Sequence, residues 1–442
     1  MKIKKFFILF LVLTQTFDLS AQIASDQNSS LNRNKPERQE WLRNLGFGMF
    51  IHWSLDSQLG IVISHSLVGA SDDYANRFIH ELPKTFDPDE FDAYKIAKQA
   101  KLAGMKYIVF TTKHHSGFCM WDTKTTDFNI TNTPYGKDLL KKYVAGVRKA
   151  GLAVGFYYSP EDFNFLRNNG LLIRRRGLNL SDKMKTKYNT FIRQQTHELF
   201  SNYGKIDVLF IDGSPNEACK DEAWTLQPDL VITRGAVNTP EQKILNKVED
   251  NLWESCITMG TQWQYKPTND ALKSANKLIN TLIETRAKGG NLLLNIGLDP
   301  FGKIPDPESR NLTELSAWSF INHEAIERVR PWTITNEDNI WFTSSINHKT
   351  VYAFITGIKY WEKGIRKNFV LRSIKATSNT KISILGQNDE VVEYHPEKNP
   401  KSQFKQTDNG LEISIVRAQR IYNNNRWPNP ITVKLENVIP AD

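Results

Sequence analysis

Several apolar segments of this 442-residue chain end in side chains that can titrate or hydrogen-bond. The clearest segment, residues 107–112, is followed by Lys113, His114 and His115. A strand covered by helices on both faces is expected to be apolar throughout, so two imidazoles at its end need an explanation. Imidazoles can exchange hydrogen bonds with hydroxyl groups, and a ligand rich in hydroxyls would therefore suit this position.

The same pattern recurs along the chain, where apolar segments alternate with segments of helical periodicity. Such alternation predicts a parallel sheet built from βαβ units. In a (β/α)8 barrel, the carboxyl ends of the strands surround one pocket. We therefore predict a shared site formed by the polar residues at these ends, which are His52, His114, His115, Tyr157 or Tyr158, Asp212, Arg234, Glu254 and Asn295.

The fold class predicted from this pattern is α/β, with a (β/α)8-like TIM barrel over residues 22–335. Seven strands can be placed between residues 47 and 300, and an eighth is expected near 325–335. No GxGxxG motif follows a strand, which disfavours a dinucleotide-binding fold. After residue 336, short β-type segments separated by turn residues predict a small antiparallel β-sandwich over 336–442. We expect this sandwich to brace the barrel rather than to bind glycan.

Asp212 and Glu254 could act as a carboxyl pair. Asp212 precedes Gly213, which permits a tight turn beside the carboxylate, and an ionised carboxylate at a strand end could be a nucleophile. Glu254 is next to Trp253, and apolar surroundings raise the pKa of a carboxyl group so that it can carry a proton. One ionised and one protonated carboxyl group suffice for glycoside hydrolysis. Alternatively, Asp212 is a turn residue and Glu254 forms a salt bridge with Arg234.

Other acids compete for these roles, and a metal is the rival explanation for the histidines. Adjacent residues of an extended strand point to opposite sides, so His114 and His115 are not expected to share an ion. No HExxH spacing is present, and we predict no metal site and no cofactor. The competing acids are Glu161, Asp162, Glu217, Glu249 and Asp250.

Over roughly residues 40–335, the motifs resemble those of the glycoside hydrolase family 29 α-L-fucosidases. The most specific motifs are KHHSGF at 113–118 and KGGNLLLNIG at 288–297, and FGMFIHW, VLFIDG and LWESC also match. The resemblance implies a retaining enzyme that needs no cofactor and releases terminal fucose from a glycan. It implies that Asp212 is the nucleophile and Glu254 the acid/base.

The resemblance also implies a set of sugar-binding residues. Two departures from the family pattern concern this set, since Ser116 replaces an aspartate and Asp72-Asp73 replaces Glu-Trp. Less apolar surface beside the sugar leaves α-L-galactose open as an alternative substrate. A fucose-binding protein that has lost catalysis is a second alternative, from a different functional class. The implied sugar-binding residues are His52, His114, His115, Tyr157, Tyr158, Asp72, Asp73, Arg234 and Trp253.

The net charge of +9 does not indicate a nucleic-acid partner, because acidic and basic residues alternate along the chain. The basic cluster at 173–177 is interpreted as a solvated loop or helix end. Residues 1–21 have a basic start, an apolar core and a small-residue end, which predicts a cleaved signal peptide. We therefore expect a periplasmic or extracellular protein without membrane insertion. Three scattered cysteines indicate free thiols, and the oligomeric state stays open.

Overall fold

The computed structural model describes residues 32–175, 178–358, 360–422 and 427–441. The predicted signal peptide lies outside these residues. A curled parallel sheet of seven strands, in the order β5-β4-β3-β2-β1-β7-β6, forms the first domain. Its strands are β1 (Phe47–His52), β2 (Tyr107–Lys113), β3 (Ala153–Tyr158), β4 (Val208–Ile211), β5 (Val231–Ile232), β6 (Glu254–Thr258) and β7 (Asn291–Gly297).

Nine α-helices precede, connect or follow these strands in the described part of the chain. Six of them begin after Ser71, Asp92, Asp138, Asp162, Ser181 and Ser274, whose side chains accept a backbone N–H of the first turn. Each such cap contributes about 1 kcal/mol to helix stability. The helices are α1 (Pro36–Leu45), α2 (Asp72–His80), α3 (Ala93–Leu102), α4 (Leu139–Ala150), α5 (Phe163–Asn168), α6 (Asp182–Ser201), α7 (Glu217–Leu226), α8 (Ala275–Ala287) and α9 (Asp306–Asn322).

The segment that follows β5 joins the two edges of the parallel sheet. The backbone N–H groups of Glu254 and Cys256 donate to the carbonyls of Asn238 and Pro240 at 3.0 and 3.1 Å, and Gln242 donates back to Cys256 at 2.9 Å. Residues 238–242, which we call the closing segment, therefore complete the barrel where a regular eighth strand would lie.

The eighth strand expected near 325–335 is wrong as a barrel strand. β8 (Val329–Glu337) pairs antiparallel with β9 (Ile340–Ser345) and belongs to a different sheet. Of its nine residues, only Val329, Trp332 and Glu337 are buried, and its second half contains exposed positions. A barrel strand between two apolar layers would be buried along its whole length, so this segment suits an open antiparallel sheet.

Side-chain alternation along the strands decides which residues face the barrel interior. Phe50, Tyr157, Phe210 and Leu293 belong to one apolar cluster inside the barrel. Their strand neighbours, such as Tyr158, join the larger cluster between the sheet and the helices. Because the alternation has a period of two, His52, Asp212 and Asn295 fall on the interior side, two residues beyond Phe50, Phe210 and Leu293.

The second domain consists of two antiparallel sheets around their own apolar core, which confirms the predicted fold class. The sheets have the orders β12-β15-β10-β9-β8 and β11-β14-β13. Phe342 and Val433 of the first sheet pack with Leu411 and Ile413 of the second. The remaining strands are β10 (Thr350–Ile355), β11 (Arg366–Leu371), β12 (Ile374–Ile384), β13 (Gln403–Thr407), β14 (Gly410–Val416) and β15 (Ile431–Pro440).

Two other expectations can be compared with the described residues. Cys119, Cys219 and Cys256 are free and buried, as the scattered spacing indicated. Among the described helices, none has the length and apolarity needed to cross a membrane.

Candidate active site

Asp212 lies directly after β4, at the carboxyl end of the barrel, with its carboxylate held from two sides. The Tyr157 hydroxyl donates to Oδ2 at 2.8 Å, and Arg234 Nη1 donates to Oδ1 at 3.2 Å. Burial raises the pKa of Asp212, but Arg234, His115, Arg175 and the Tyr157 hydrogen bond more than offset this and hold the pKa well below its usual range. The carboxylate is therefore ionised, fixed and partly open to solvent, with 18% of its side chain exposed.

Gly213 allows the chain to turn next to this carboxylate. Its φ of +114° is unfavourable for other residues. A Cβ atom at this position would also lie 2.8 Å from the side chain of Glu161. The glycine after Asp212 is therefore required both by the turn and by close packing against Glu161.

The two adjacent histidines lie side by side next to Asp212, with ring centroids 4.1 Å apart. The expectation that they point to opposite sides is wrong, because β2 ends at Lys113 and strand alternation does not extend to His114 and His115. Serine hydroxyls hold both Nδ1 atoms, from Ser64 at 2.9 Å and from Ser159 at 2.6 Å.

The free nitrogen of His115 faces the nucleophile candidate. His115 Nε2 lies 3.6 Å from Asp212 Oδ2 and has no hydrogen-bond partner among the described residues. Burial lowers the pKa of His115 to about 3 and that of His114 well below its usual value. Both rings are therefore neutral near pH 7, and each can exchange one hydrogen bond with a sugar hydroxyl.

His52, at the end of β1, completes this group of imidazoles. Its Nδ1 lies 2.6 Å from the side-chain oxygen of Asn295, which can only accept, so Nδ1 carries the proton. Burial lowers the pKa of His52 to about 4, so Nε2 is left as an acceptor. The Trp263 ring, with its centroid 4.8 Å from that of His52, adds an apolar surface. Trp263 is held in turn by Asn295, which donates to its carbonyl at 2.6 Å.

A second carboxylate lies near Asp212, on the closing segment. Arg234 Nη2 donates to Glu241 Oε2 at 2.9 Å, while its Nη1 binds Asp212. One guanidinium thus links the two carboxylates. The Glu241 side chain is 44% exposed, so it can reach a ligand that enters from solvent. The strand-end pattern missed Glu241, because it lies beyond the end of β5.

Arg175 is the second residue of this cluster, after Glu241, that the sequence interpretation missed. Arg175 Nε donates to Glu161 Oε2 at 2.8 Å, and its Nη2 lies 3.7 Å from Asp212 Oδ1. The interpretation of residues 173–177 as a solvated loop is therefore wrong at Arg175, while Arg176 and Gly177 lie outside the described residues. Glu161, one of the competing acids, contacts His115 Nδ1 at 3.5 Å, and burial raises its pKa.

The structure does not bring Glu254 to this cluster. Glu254 is the first residue of β6 and not the last, so it lies about 13 Å below the carboxyl end at the usual rise per residue. Its Oε2 accepts a hydrogen bond of 2.5 Å from the Tyr107 hydroxyl, and the side chain is fully buried. The expectation that Glu254 ends its strand is wrong, and Arg234 pairs with Asp212 and Glu241 rather than with Glu254.

Four further residues predicted to bind sugar also lie elsewhere. Trp253 is buried and donates to the Lys288 carbonyl at 3.3 Å. Tyr158 faces the helices, where its hydroxyl donates to Gln195 at 2.8 Å. The other two, Asp72 and Asp73, lie exposed on α2 and form ion pairs with Arg167 and Arg77.

The geometry permits a metal-ligating group that the sequence interpretation had excluded. His114, His115 and Asp212 each offer a ligand atom, and these atoms lie within 4.8 Å of one another. However, Arg234 and Arg175 place two positive charges beside the carboxylate, and like charges repel a cation. The arrangement is better suited to hydroxyl groups than to a metal.

Comparisons with known proteins give a consistent picture. The α-L-fucosidase family model matches residues 13–324. The chain is 28% identical over 404 residues to the tissue α-L-fucosidase of Mus musculus, which covers 78% of this chain and 83% of that protein. It is 26% identical over 399 residues to the α-L-fucosidase of Dictyostelium discoideum, covering 80% and 84%.

Solved structures show the same fold. α-L-Fucosidase isoenzyme 1 from Paenibacillus thiaminolyticus superimposes with a TM-score of 0.70 at 25% identity, over 92% of this chain and 99% of that chain. A family 29 α-L-fucosidase from Bacteroides thetaiotaomicron gives 0.72 at 21% identity, over 91% and 96%. These findings confirm the predicted fold and the family resemblance. Since the family model spans most of the sequence, the chain belongs to the α-L-fucosidase family of glycoside hydrolases.

Proposed function

We propose that this protein is an exported exo-α-L-fucosidase that retains anomeric configuration, with Asp212 as the nucleophile and Glu241 as the acid/base. The observation that carries the proposal is the ionised Asp212 carboxylate at the barrel mouth, linked through Arg234 to a second, solvent-accessible carboxyl group. A Bacteroides thetaiotaomicron relative of the same fold has been trapped as a covalent intermediate with 2-fluoro-fucosyl fluoride, which supports a glycosyl-enzyme here.

In the first step, an Asp212 oxygen forms a bond to the anomeric carbon while the glycosidic C–O bond breaks. The electron pair of that bond stays on the leaving oxygen, which takes a proton from Glu241. Tyr157 and Arg234 hold Asp212 in position for this attack. Two carboxyl groups about 5–5.5 Å apart are typical of this mechanism.

In the second step, water attacks the same carbon and Glu241 removes its proton. The bond between the sugar and Asp212 breaks, and fucose leaves with its original anomeric configuration. The neutral imidazoles of His52, His114 and His115 would hydrogen-bond the ring hydroxyls. The Trp263 ring would cover the apolar part of the sugar, since aromatic faces offer suitable contact area.

Glu241 is preferred to Glu254 and Glu161 as the proton donor because of access. The general acid must reach the oxygen of the leaving group, which points towards solvent in an exo-acting enzyme. Glu254 is enclosed at the opposite end of β6. Glu161 is buried beneath Gly213 and is paired with Arg175, whereas nearly half of the Glu241 side chain is exposed.

Single substitutions can separate these roles. We expect Asp212→Ala to abolish hydrolysis of nitrophenyl α-L-fucoside without unfolding the protein. Glu241→Ala should still hydrolyse activated aryl fucosides, and azide should accelerate this reaction. It should lose activity on glycans with poor leaving groups. Glu161→Gln and Glu254→Gln are matched controls, because each replaces a buried carboxyl group by an amide of the same shape. A leaving-group-dependent defect in either control, with normal behaviour of the Glu241 variant, would reassign the proton donor.

The substrate and stereochemistry need two further measurements. Nitrophenyl α-L-galactoside and β-D-galactoside, assayed beside the fucoside, would test the sugar preference, and we expect the α-L-fucoside to be hydrolysed fastest. NMR of the first anomer formed should show the α form, and the β form would rule out retention. Export rests on the sequence of residues 1–21, and the mature protein is expected to begin at Gln22 by N-terminal sequencing.

A further inference from the structure

A cavity lies on the flank of the barrel, separate from the cluster around Asp212. Its volume is about 440 Å³, within the range of small-ligand pockets. It is formed by α5, α6 and the loop that contains Thr125 and Thr126. We call it the flank cavity, and its lining residues are Thr125, Thr126, Asp162, Asn164, Phe165, Asn168, Asn169, Lys187, Thr190, Phe191 and Gln194.

Most of the lining side chains are neutral hydrogen-bonding groups, four of them amides and three of them hydroxyls. Two aromatic rings, Phe165 and Phe191, lie among them with centroids 4.8 Å apart. Asn164, Asn168 and Asn169 already donate one hydrogen bond each within the protein, to Thr126, Asn164 and the Phe165 carbonyl. An apolar ligand would displace water from the remaining polar atoms of the lining without replacing its hydrogen bonds. A sugar offers both hydroxyls for the amides and an apolar face for the rings.

The two charged side chains of the cavity, Asp162 and Lys187, already have hydrogen-bond partners. Asp162 Oδ2 accepts a hydrogen bond from Lys113 at 3.0 Å, and its Oδ1 accepts one from the Phe165 N–H at 2.7 Å. Lys187 donates to Asn169 Oδ1 at 2.6 Å. Phosphate-rich ligands need several free cations, which the described lining does not provide. The ligand that fits is therefore neutral.

The flank cavity and the active site share one structural element. Glu161 contacts His115 on the active-site side, and α5 begins two residues later at Phe163. A helix with its side chains is about 10 Å wide, so the cavity is about one helix away from the catalytic cluster. A glycan whose end occupies the active site could cross α5 to reach it.

We propose that the flank cavity binds neutral sugar residues of the glycan, away from the bond that is cleaved. This inference rests on the proposed function, since it assigns a second contact to the same substrate. It implies that glycans gain affinity through the cavity, whereas small aryl fucosides do not contact it.

The test compares tryptophan substitutions at two exposed neighbours on α6. Thr190→Trp fills the cavity, and Asn189→Trp is the matched control, because Asn189 is exposed on the same helix and does not line the cavity. The probe is a neutral tetrasaccharide of galactose and N-acetylglucosamine without fucose, titrated by NMR. We expect the wild type and Asn189→Trp to bind equally, and Thr190→Trp to bind at least about tenfold more weakly, a difference of about 1.4 kcal/mol. Asn168→Trp, which fills the cavity from α5, should reproduce the loss.

Hydrolysis of nitrophenyl α-L-fucoside should be unchanged in all three variants. Equal affinities of the four proteins, absence of binding to the wild type up to about 10 mM, or an equal loss in Asn189→Trp would overturn the inference. Failure of the proposed function would look different, because the aryl fucoside would then not be hydrolysed even where the tetrasaccharide binds.

Discussion

Replacing Glu254 by glutamine tests whether this buried carboxyl group is structural or catalytic. Burial raises the pKa of Glu254 from 4.5 to about 7, against the opposing hydrogen bond from the Tyr107 hydroxyl. Glutamine has the same shape, can still accept from the Tyr107 hydroxyl and does not ionise. The variant therefore removes the titration while preserving the hydrogen bond.

The magnitude follows from proton linkage. A carboxyl group with a raised pKa binds its proton more tightly in the folded state, so the free energy of unfolding falls as pH rises from about 4.5 to about 7. The two pKa values differ by about 2.5, and each pKa unit corresponds to about 1.36 kcal/mol. Between pH 4.5 and pH 8, the free energy of unfolding of Glu254→Gln should therefore rise by about 3 kcal/mol relative to that of the wild type.

Urea unfolding of both proteins at several pH values measures this difference. Other buried acids, such as Glu308 with its pKa raised to about 8 by burial, titrate in both proteins and cancel. The variant should also keep kcat/KM for fucosides within about threefold of the wild type, whereas loss of a general acid costs about 100-fold or more. A pH-independent stability difference would refute the linkage reasoning, and a large loss of kcat on poor leaving groups would make Glu254 catalytic.

Three further outcomes are expected. Tyr157→Phe removes the donor to Asp212 Oδ2, and since hydrogen bonds to charged groups contribute about 1.5–3 kcal/mol, kcat should fall about 10- to 100-fold; an unchanged kcat would contradict this. Arg175→Ala frees Glu161 and removes a cation beside Asp212, so kcat/KM should fall, while the exposed neighbour Arg174→Ala should not change it. EDTA should leave kcat/KM unchanged if the histidines bind hydroxyls, and a loss restored by one divalent metal would show that the cluster holds an ion.

The fold was predictable because its signals are repeated. Apolar segments bounded by helical ones recur seven times, and the sheet contains the corresponding strands. The site was predictable where a residue ends a strand or directly follows it with the right alternation, as for His52 and Asp212. The same alternation distinguishes Tyr157 inside the barrel from Tyr158 outside it, although the sequence interpretation did not apply it.

The remaining site residues are set by tertiary contacts that no local pattern contains. Glu241 comes close to Asp212 only because the closing segment pairs with β6. Arg175 lies in a basic stretch whose neighbours give no sign of a buried partner. Glu254 shows the opposite case, because a short apolar segment does not reveal whether a polar residue begins or ends the strand. The place of Glu254 at the start of β6 follows only from its pairing with Asn291 at the start of β7.

The closing segment has a consequence for how such enzymes can vary. It completes the barrel and also carries Glu241, with Arg234 at its approach. The loop between Arg234 and Asn238 therefore sets where the Glu241 carboxyl group lies relative to that of Asp212, and in the proposed mechanism a wider gap would admit a water molecule and favour inversion. With the proposed roles of Asp212 and Glu241, insertions in this loop would change that gap without touching Asp212, and the stereochemical outcome would respond to the length of one loop.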